Sequence, residues 1–403
     1  MNIGITLGLT KDNESMWVNG IKLNAIFLAN VFKNLGHTVW LLDTSGIVDY
    51  DKKTGLLNKD KIVWDIEEFP IYYALKKWKE VDVLFTLGTA LDDGVIKHFR
   101  KFKKSNKVVK YMCGNNYVID MERMIFPKGK RIESAWTQGH DEAWYIPQQE
   151  YHNKHYYATI GRLPTEKVKV VPFVWSPDFI KNENEKCISK GLSSAFYTPG
   201  KSRNEKNLIS MEPNMNVVKF CLPLIMIAEK LYRKLGKESF NEFWIGSGKT
   251  LLKNSYFLGC IKNLDITTSN KLKMCSRYPV QVFLSEKADV VLSHQWDNPL
   301  NYAYLDALYF NYPLIHNASM VKDAGYYYED FNLEKGATLL EHVLNHHDEF
   351  IQEYQQNSVK VLSRYMTKNK KIVETYKKLI ENVFEPGKHN LSYEYDWSTN
   401  LYK

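Results

Sequence analysis

The sequence has no apolar run near the roughly 18 residues that a membrane-spanning helix needs, so any membrane contact is expected to be peripheral. It has only 5 Cys (Cys113, Cys187, Cys221, Cys260 and Cys275), an odd number without C-x-x-C spacing. That excludes a disulfide framework and a Cys-based zinc site, and reads as reduced core thiols in a cytosol-like compartment. The opening "MNIGITLGLT" lacks the basic start, apolar centre and small-residue cleavage site of a secretory leader, so the expected location is cytoplasmic. No D-x-D motif stands out. His152 and His155 stand three apart without a matching carboxylate, so no metal site is expected.

What is present is the composition of a folded protein. Charged residues make up 25% and hydrophobic ones 44%, which rules out wholesale disorder. At 403 residues the chain is long enough for two domains of about 150–200 residues each. The 26 Tyr, 19 Phe and 10 Trp suit stacking on rings or sugars, though for most of them core packing is the reading. A net charge of +8 favours an anionic partner: a nucleotide, a nucleic acid or an anionic membrane surface. Basic runs such as "RKFKKSNK" at 100–107 read as solvated helix ends rather than a nucleic-acid patch.

The first 45 residues read as strand, loop, helix, strand. The helix places Ile21, Ala25, Leu28, Phe32 and Leu35 on one face, with Gly36 at its C-terminal cap. Further strands are expected at 82–88, 107–114, 134–139 and 167–174. A polar stretch at 176–194 reads as a link, after which the alternation restarts with strands "KNLISM", "FWIGSG", "DVVLSH" and "YPLIHN". Two amphipathic helices end the pattern, "ATLLEHVLNHHDEFIQEYQQ" and "SVKVLSRYMTKNKKIVETYKKLIENVF". The expected architecture is α/β, two Rossmann-like domains facing a central cleft. Residues 1–176 form the first and 195–360 the second; 361–387 is a helix crossing back to the first, and 388–403 an irregular tail. Open parallel sheets bind ligands at the carboxyl ends of their strands, which gathers the loops "TKDNESMWVNG", "CGNNY", "SMEPNMN", "IGSGKT" and "SHQWDNPLN" at the site.

"IGSGKT" is not a phosphate-binding P-loop, because Phe243 stands where that motif needs Gly. Gly246 and Gly248 read instead as a sharp turn allowing close approach of a flat ligand. "DNPLNYAYLD" is more specific. A helix starting after Asp297 or Asn298 puts Pro299 in its first turn and leaves the N–H groups of Leu300, Asn301 and Tyr302 to hold an anionic oxygen. Asp306 then shares a face with Asn301 and Tyr302 and can accept from vicinal hydroxyls such as a ribose. The alternative is that Asp297 or Asn298 is a plain cap and Asp306 a solvated surface residue.

The segment 293–317 is similar to the donor-binding segment of glycosyltransferases with the two-domain GT-B fold, whose retaining members carry E-G-F-G-L-P-x-x-E-A-M-A-x-G-x-P after a strand. Asp306 falls on the second Glu, Asn298 on the first, and Ala307 and Pro313 on their counterparts; Asn298 and Asn311 replace Glu and Gly. "GNNYVIDMERMIF", "EPNMNVVK" and "HQWDNPLNY" also resemble an uncharacterised bacterial and viral family within that superfamily. The resemblance implies a metal-independent glycosyltransferase that moves a sugar from a nucleotide-sugar, UDP- or GDP-linked for example, with no further cofactor. The acceptor is a glycan or lipid-linked molecule; a nucleic-acid base acceptor, or an inactive sugar-nucleotide-binding protein, is the alternative. On the donor side it implies Asp306 at the ribose, Lys219 and the Asn298, Asn301 and Tyr302 segment at the diphosphate, and Glu212, Asn214 and Gly246 in the surrounding loops. His294 and Trp296 flank the motif, Trp296 either stacking on base or sugar or packing over the helix start. Asn19 and Gly20 stand at the mouth of the first helix, Asn19 reading as a cap and Gly20 as a donor contact. Asn115, Asn116 and His140 are the acceptor-side catalytic candidates, beside Asp120, Glu122 and Asp141.

Overall fold

The structure, a computed structural model, describes residues 1–12, 14–16, 20–58, 62–63, 69–126, 139–385, 395–396 and 399–402. Asn19, most of the strand expected at 134–139 and most of the tail at 388–403 lie outside the described residues. The chain divides into two units, Met1–Ser176 with Tyr365–Lys403, and Pro177–Arg364.

The sheet of the first unit contains β1 (Asn2–Leu7), β2 (Thr38–Asp43), β3 (Ile71–Tyr73), β4 (Val83–Thr86), β5 (Lys107–Met112), β6 (Glu142–Tyr145) and β7 (Val168–Val170). Their order is β3-β2-β1-β4-β5-β6-β7, with parallel pairing throughout. Such strands are covered on both faces and so read as unbroken apolar runs. The helix Gly20–Asn34 is buried continuously from Lys22 to Phe32. Its burial is therefore wider than the expected stripe, and Ile21, placed on that stripe, is instead exposed. Gly36 takes φ +80 and caps the helix as expected, with the His37 N–H on the Phe32 carbonyl at 3.1 Å.

Strand β6 escapes an apolar-run reading because its first residue is Glu142, which is fully buried. Lys169 Nζ donates to Glu142 Oε1 at 2.6 Å and Trp144 Nε1 to Oε2 at 2.8 Å, so the buried charge is paired and hydrogen-bonded, as burial requires. The chain returns to this unit at Tyr365. There the helix Lys370–Phe384 seats Tyr376 edge-on against Phe32, 5.9 Å between ring centres, with its hydroxyl donating to the Pro172 carbonyl at 2.7 Å.

The second unit has β8 (Leu208–Ser210), β9 (Phe243–Ile245), β10 (Leu272–Met274), β11 (Val290–Leu292), β12 (Leu314–His316) and β13 (Tyr326–Tyr327), again all parallel, in the order β10-β9-β8-β11-β12-β13. Its core packs Leu224, Ile227 and Leu231 of the helix Leu222–Leu235 with Leu340 and Val343 of the helix Leu333–His346 and with Val290 and Leu292 of β11. Two expectations are corrected here. The stretch read as a link is largely the helix Pro177–Ser189, inside this unit. The two closing helices are three, Leu333–His346, Ile351–Ser363 and Lys370–Phe384; Asn369 ends the run by capping the last, its side chain accepting from the Lys371 N–H at 3.0 Å. The cysteines are free thiols, but only Cys221 and Cys275 are buried and Cys260 is exposed. Among the described residues no helix is long and apolar enough to cross a membrane.

Candidate functional site

Each unit orders its first six strands 3-2-1-4-5-6, so the chain reverses its direction of travel between the first strand and the fourth. Ligands of such sheets bind outside the carboxyl ends of those two strands. In the second unit they are β8 and β11, and the residues that follow them are Met211–Lys219 and Ser293–Asn298.

Those loops meet on Glu212. Its carboxyl is buried, with Ser293 Oγ donating to Oε1 and Gln295 Nε2 donating to Oε2 at 2.9 Å. Burial pushes the carboxyl up to about 7, against the opposing pull of those donors and the Lys219 charge. Ser293 Oγ also lies 2.9 Å from the Tyr304 hydroxyl. Gln295 Oε1 accepts from Asn298 Nδ2, and its main chain is bound to Asn317. Ser293, Gln295 and Asn298 are buried as well. Of this group Ser293, Gln295, Tyr304 and Asn317 were not expected from the sequence.

Asn214 braces the same edge. It takes φ +54, and Nδ2 donates to the carbonyls of Glu212 (2.9 Å) and Gly246 (3.0 Å) while Oδ1 accepts from the Cys221 N–H at 2.9 Å. Its side chain shapes the loop that carries Lys219. Gly246 is required by close packing within the protein: a Cβ there would stand 2.9 Å from a Phe283 ring carbon and 2.9 Å from the Ser210 carbonyl oxygen. Trp296 is half exposed, and its N–H donates to the Val218 carbonyl at 2.9 Å, joining the two loops. His294 is buried, 2.9 Å from the Tyr328 hydroxyl through Nδ1. Burial lowers its imidazole to about 4, so it is neutral near pH 7.

The helix expected after Asp297 or Asn298 begins later, at Tyr302, with Asn301 as a cap in extended conformation making no side-chain capping bond. Pro299 thus precedes the helix, and Asp297, at φ +48, turns the chain ahead of it. Asp306 lies on this helix and is buried, not the solvated surface residue of the alternative. Asn311 takes φ +62 just beyond the helix. That left-handed position favours Gly and tolerates Asn, which accounts for the substitution within the motif.

In the first unit, Asn115 caps the helix Asn116–Ile125: Oδ1 accepts from the Val118 N–H at 3.3 Å and from Asn153 Nδ2 at 2.9 Å. Asn116 Oδ1 lies 3.2 Å from the Tyr157 hydroxyl. His140 precedes β6, with Nε2 3.0 Å from Thr86 Oγ1. Asp141 is bound by Arg100 at 2.6 Å, and Asp120 by the Tyr156 hydroxyl at 2.7 Å. Gly20 opens the first helix, and a Cβ at that position would meet nothing within 4 Å. No group of three His, Cys, Asp or Glu among the described residues is placed to hold a metal ion.

A family described as a protein of unknown function (DUF2827) matches residues 3–380. No curated protein matches in sequence. Among solved structures the chain is similar to a glycosyltransferase from Rickettsia africae at 13% identity and TM-score 0.54, covering 96% of this chain and 99% of that one. It is similar to Anabaena Alr3699/HepE, solved with UDP and glucose, at 9% identity and TM-score 0.54, with 94% and 99% covered. An alpha-glucosyltransferase solved with UDP and a 13-mer DNA containing an HMU base matches at 12% identity and TM-score 0.55, with 95% and 99% covered. The likeness is one of fold: the two parallel-sheet halves are those of GT-B glycosyltransferases.

Proposed function

The chain belongs to the DUF2827 family, and from that premise we propose that it is a glycosyltransferase that takes a nucleotide-sugar in its second unit. The observation that carries this reading is the buried polar group around Glu212, Gln295 and Asn298 at the β8 and β11 carboxyl ends. A Rossmann-like sheet offers its ligand crevice there. Asp306 binds the ribose, Lys219 and the amino end of the helix Tyr302–Tyr309 hold the diphosphate, and Asn298 faces the sugar, with Trp296 stacking alongside. Catalysis then rests on positioning the sugar carbon and on stabilising charge on the departing diphosphate, with Lys219 in place of a metal ion. A glycan or lipid-linked acceptor is bound by the first unit, with Asn116 and His140 near it, in the cytoplasm or at a membrane surface.

A second reading gives the same donor site a nucleic-acid base as acceptor. The net charge of +8 and the likeness to a DNA-bound alpha-glucosyltransferase favour keeping it. A thermal-shift screen against UDP, GDP, ADP, CMP and their sugar conjugates tests the donor site. A rise with one nucleotide is expected, and donor turnover in the presence of glycan or DNA then separates the two acceptors. No rise with any of them sinks the reading, and tight binding without turnover on any acceptor leaves a binding protein.

A further inference from the structure

The hydrogen bonds at the β8 and β11 carboxyl ends have a direction. Above about pH 7, where the buried Glu212 carboxyl is ionised, it only accepts, whereas each primary amide has one accepting and one donating edge. Glu212 Oε2 takes the Gln295 Nε2 donor at 2.9 Å. This turns Gln295 Oε1 the other way, where Asn298 Nδ2 donates to it. Reversing either amide would set oxygen against oxygen or amino group against amino group. The other carboxylate oxygen is engaged by Ser293 Oγ, itself 2.9 Å from the Tyr304 hydroxyl. The orientation of Asn298 is thereby set two side chains away, by a buried carboxylate. The main chain of Gln295 is held in place by Asn317, which binds its N–H at 3.0 Å and its carbonyl at 2.9 Å.

We infer that Glu212 is a positioning residue for the sugar of the donor: acting through Gln295, it fixes the orientation of the Asn298 amide, which the donor-site reading places beside the sugar. This rests on the donor-site reading above. Of the titratable groups around it, the Lys219 charge favours the ionised Glu212 carboxylate, and Tyr304, Tyr328 and Cys221 are held in their neutral forms, by burial first and by the Glu212 charge as well. The sequence carries an amide at 298 and a carboxylate at 212, and the relay lets the second decide what the first presents.

The test is calorimetric titration of the full chain with UDP, GDP and ADP and with their glucose conjugates, for the wild type, Glu212→Met and Glu212→Gln. Met fills the space without an acceptor. Gln can still offer Oε1 to Gln295 and its amino group to Ser293. The expected result for Glu212→Met is affinity for the bare nucleotide within a few-fold of wild type and a loss of roughly tenfold or more for the sugar conjugate. Glu212→Gln recovers most of that loss. Equal losses for nucleotide and conjugate, no loss, or no recovery by Gln would each overturn the relay while leaving the donor site standing. A wild type that binds none of the ligands overturns the donor-site reading itself. Should Glu212→Met not fold, Gln295→Met carries the same comparison with the same two results.

Discussion

Asn317 grips the peptide of Gln295 from both sides: its Oδ1 accepts from the Gln295 N–H at 3.0 Å and its Nδ2 donates to the Gln295 carbonyl at 2.9 Å. The loop after β11 is thus tied to the end of β12. Asn317→Ala removes both bonds, and the expected loss of stability is about 1–3 kcal/mol, read by urea denaturation. Stability equal to wild type would mean that water replaces the clamp fully.

Asp306→Asn keeps the shape of a buried side chain and removes its charge. If Asp306 accepts from ribose hydroxyls, the nucleotide selected by the thermal-shift screen should bind roughly tenfold more weakly, because a charged acceptor is exchanged for a neutral one. Unchanged affinity in a folded variant would sink the ribose assignment.

The second unit carries opposing pH dependences. His294, His316 and His347 are each lowered by burial from 6.5 to about 4. The unfolded chain therefore binds more protons at these sites between pH 4 and 6.5, and they make stability rise with pH across that window. Glu212 is raised from 4.5 to about 7, so the folded chain holds its proton longer and this group makes stability fall as pH rises from 4.5 to 7. Three sites outweigh one, and the protein should lose stability on acidification from pH 6.5 to 4. Glu212→Gln should make that loss steeper. Denaturation midpoints measured across this range check both signs.

Gly246→Ala puts a methyl 2.9 Å from the Ser210 carbonyl oxygen and 2.9 Å from the Phe283 ring. The ring can shift but the strand carbonyl cannot do so cheaply, and a cost of about 1–3 kcal/mol follows. A thermal midpoint matching wild type would show that β8 and β9 separate more easily than their pairing suggests.

Asn311→Gly should be neutral or slightly stabilising and Asn311→Ala destabilising by about 1 kcal/mol, since the position is left-handed at φ +62. Equal midpoints for the two variants would rule out backbone strain as the reason for Asn.

Much of this was legible in the residues. The alternation of short apolar strands with helical stretches gives two Rossmann-like halves, and Asp306, Asn298 and Pro313 carry the resemblance on which the proposed donor segment rests. The helix start was misplaced because a Pro suits a first helical turn, while here the chain turns at Asp297 and is still extended at Asn301, two residues beyond Pro299. Strand β6 was hidden by Glu142, whose partner Lys169 lies on another strand. The Glu212 relay left little trace, because Ser293, Gln295 and Asn317 are ordinary polar residues in loops that carry no motif for it. Only the placement of β8, β11 and β12 side by side makes them neighbours.

The return of the chain at Tyr365 bears on the order in which the protein is made. A ribosome releases residues 1–176 long before residue 376, so Phe32 and Trp144, which flank the Tyr376 ring at 5.9 and 6.2 Å, emerge without their lid. The second unit is one continuous run and can close while the first still waits. Birth order and completion order are therefore reversed, and the nascent first half is the stretch on which a chaperone would be expected to act.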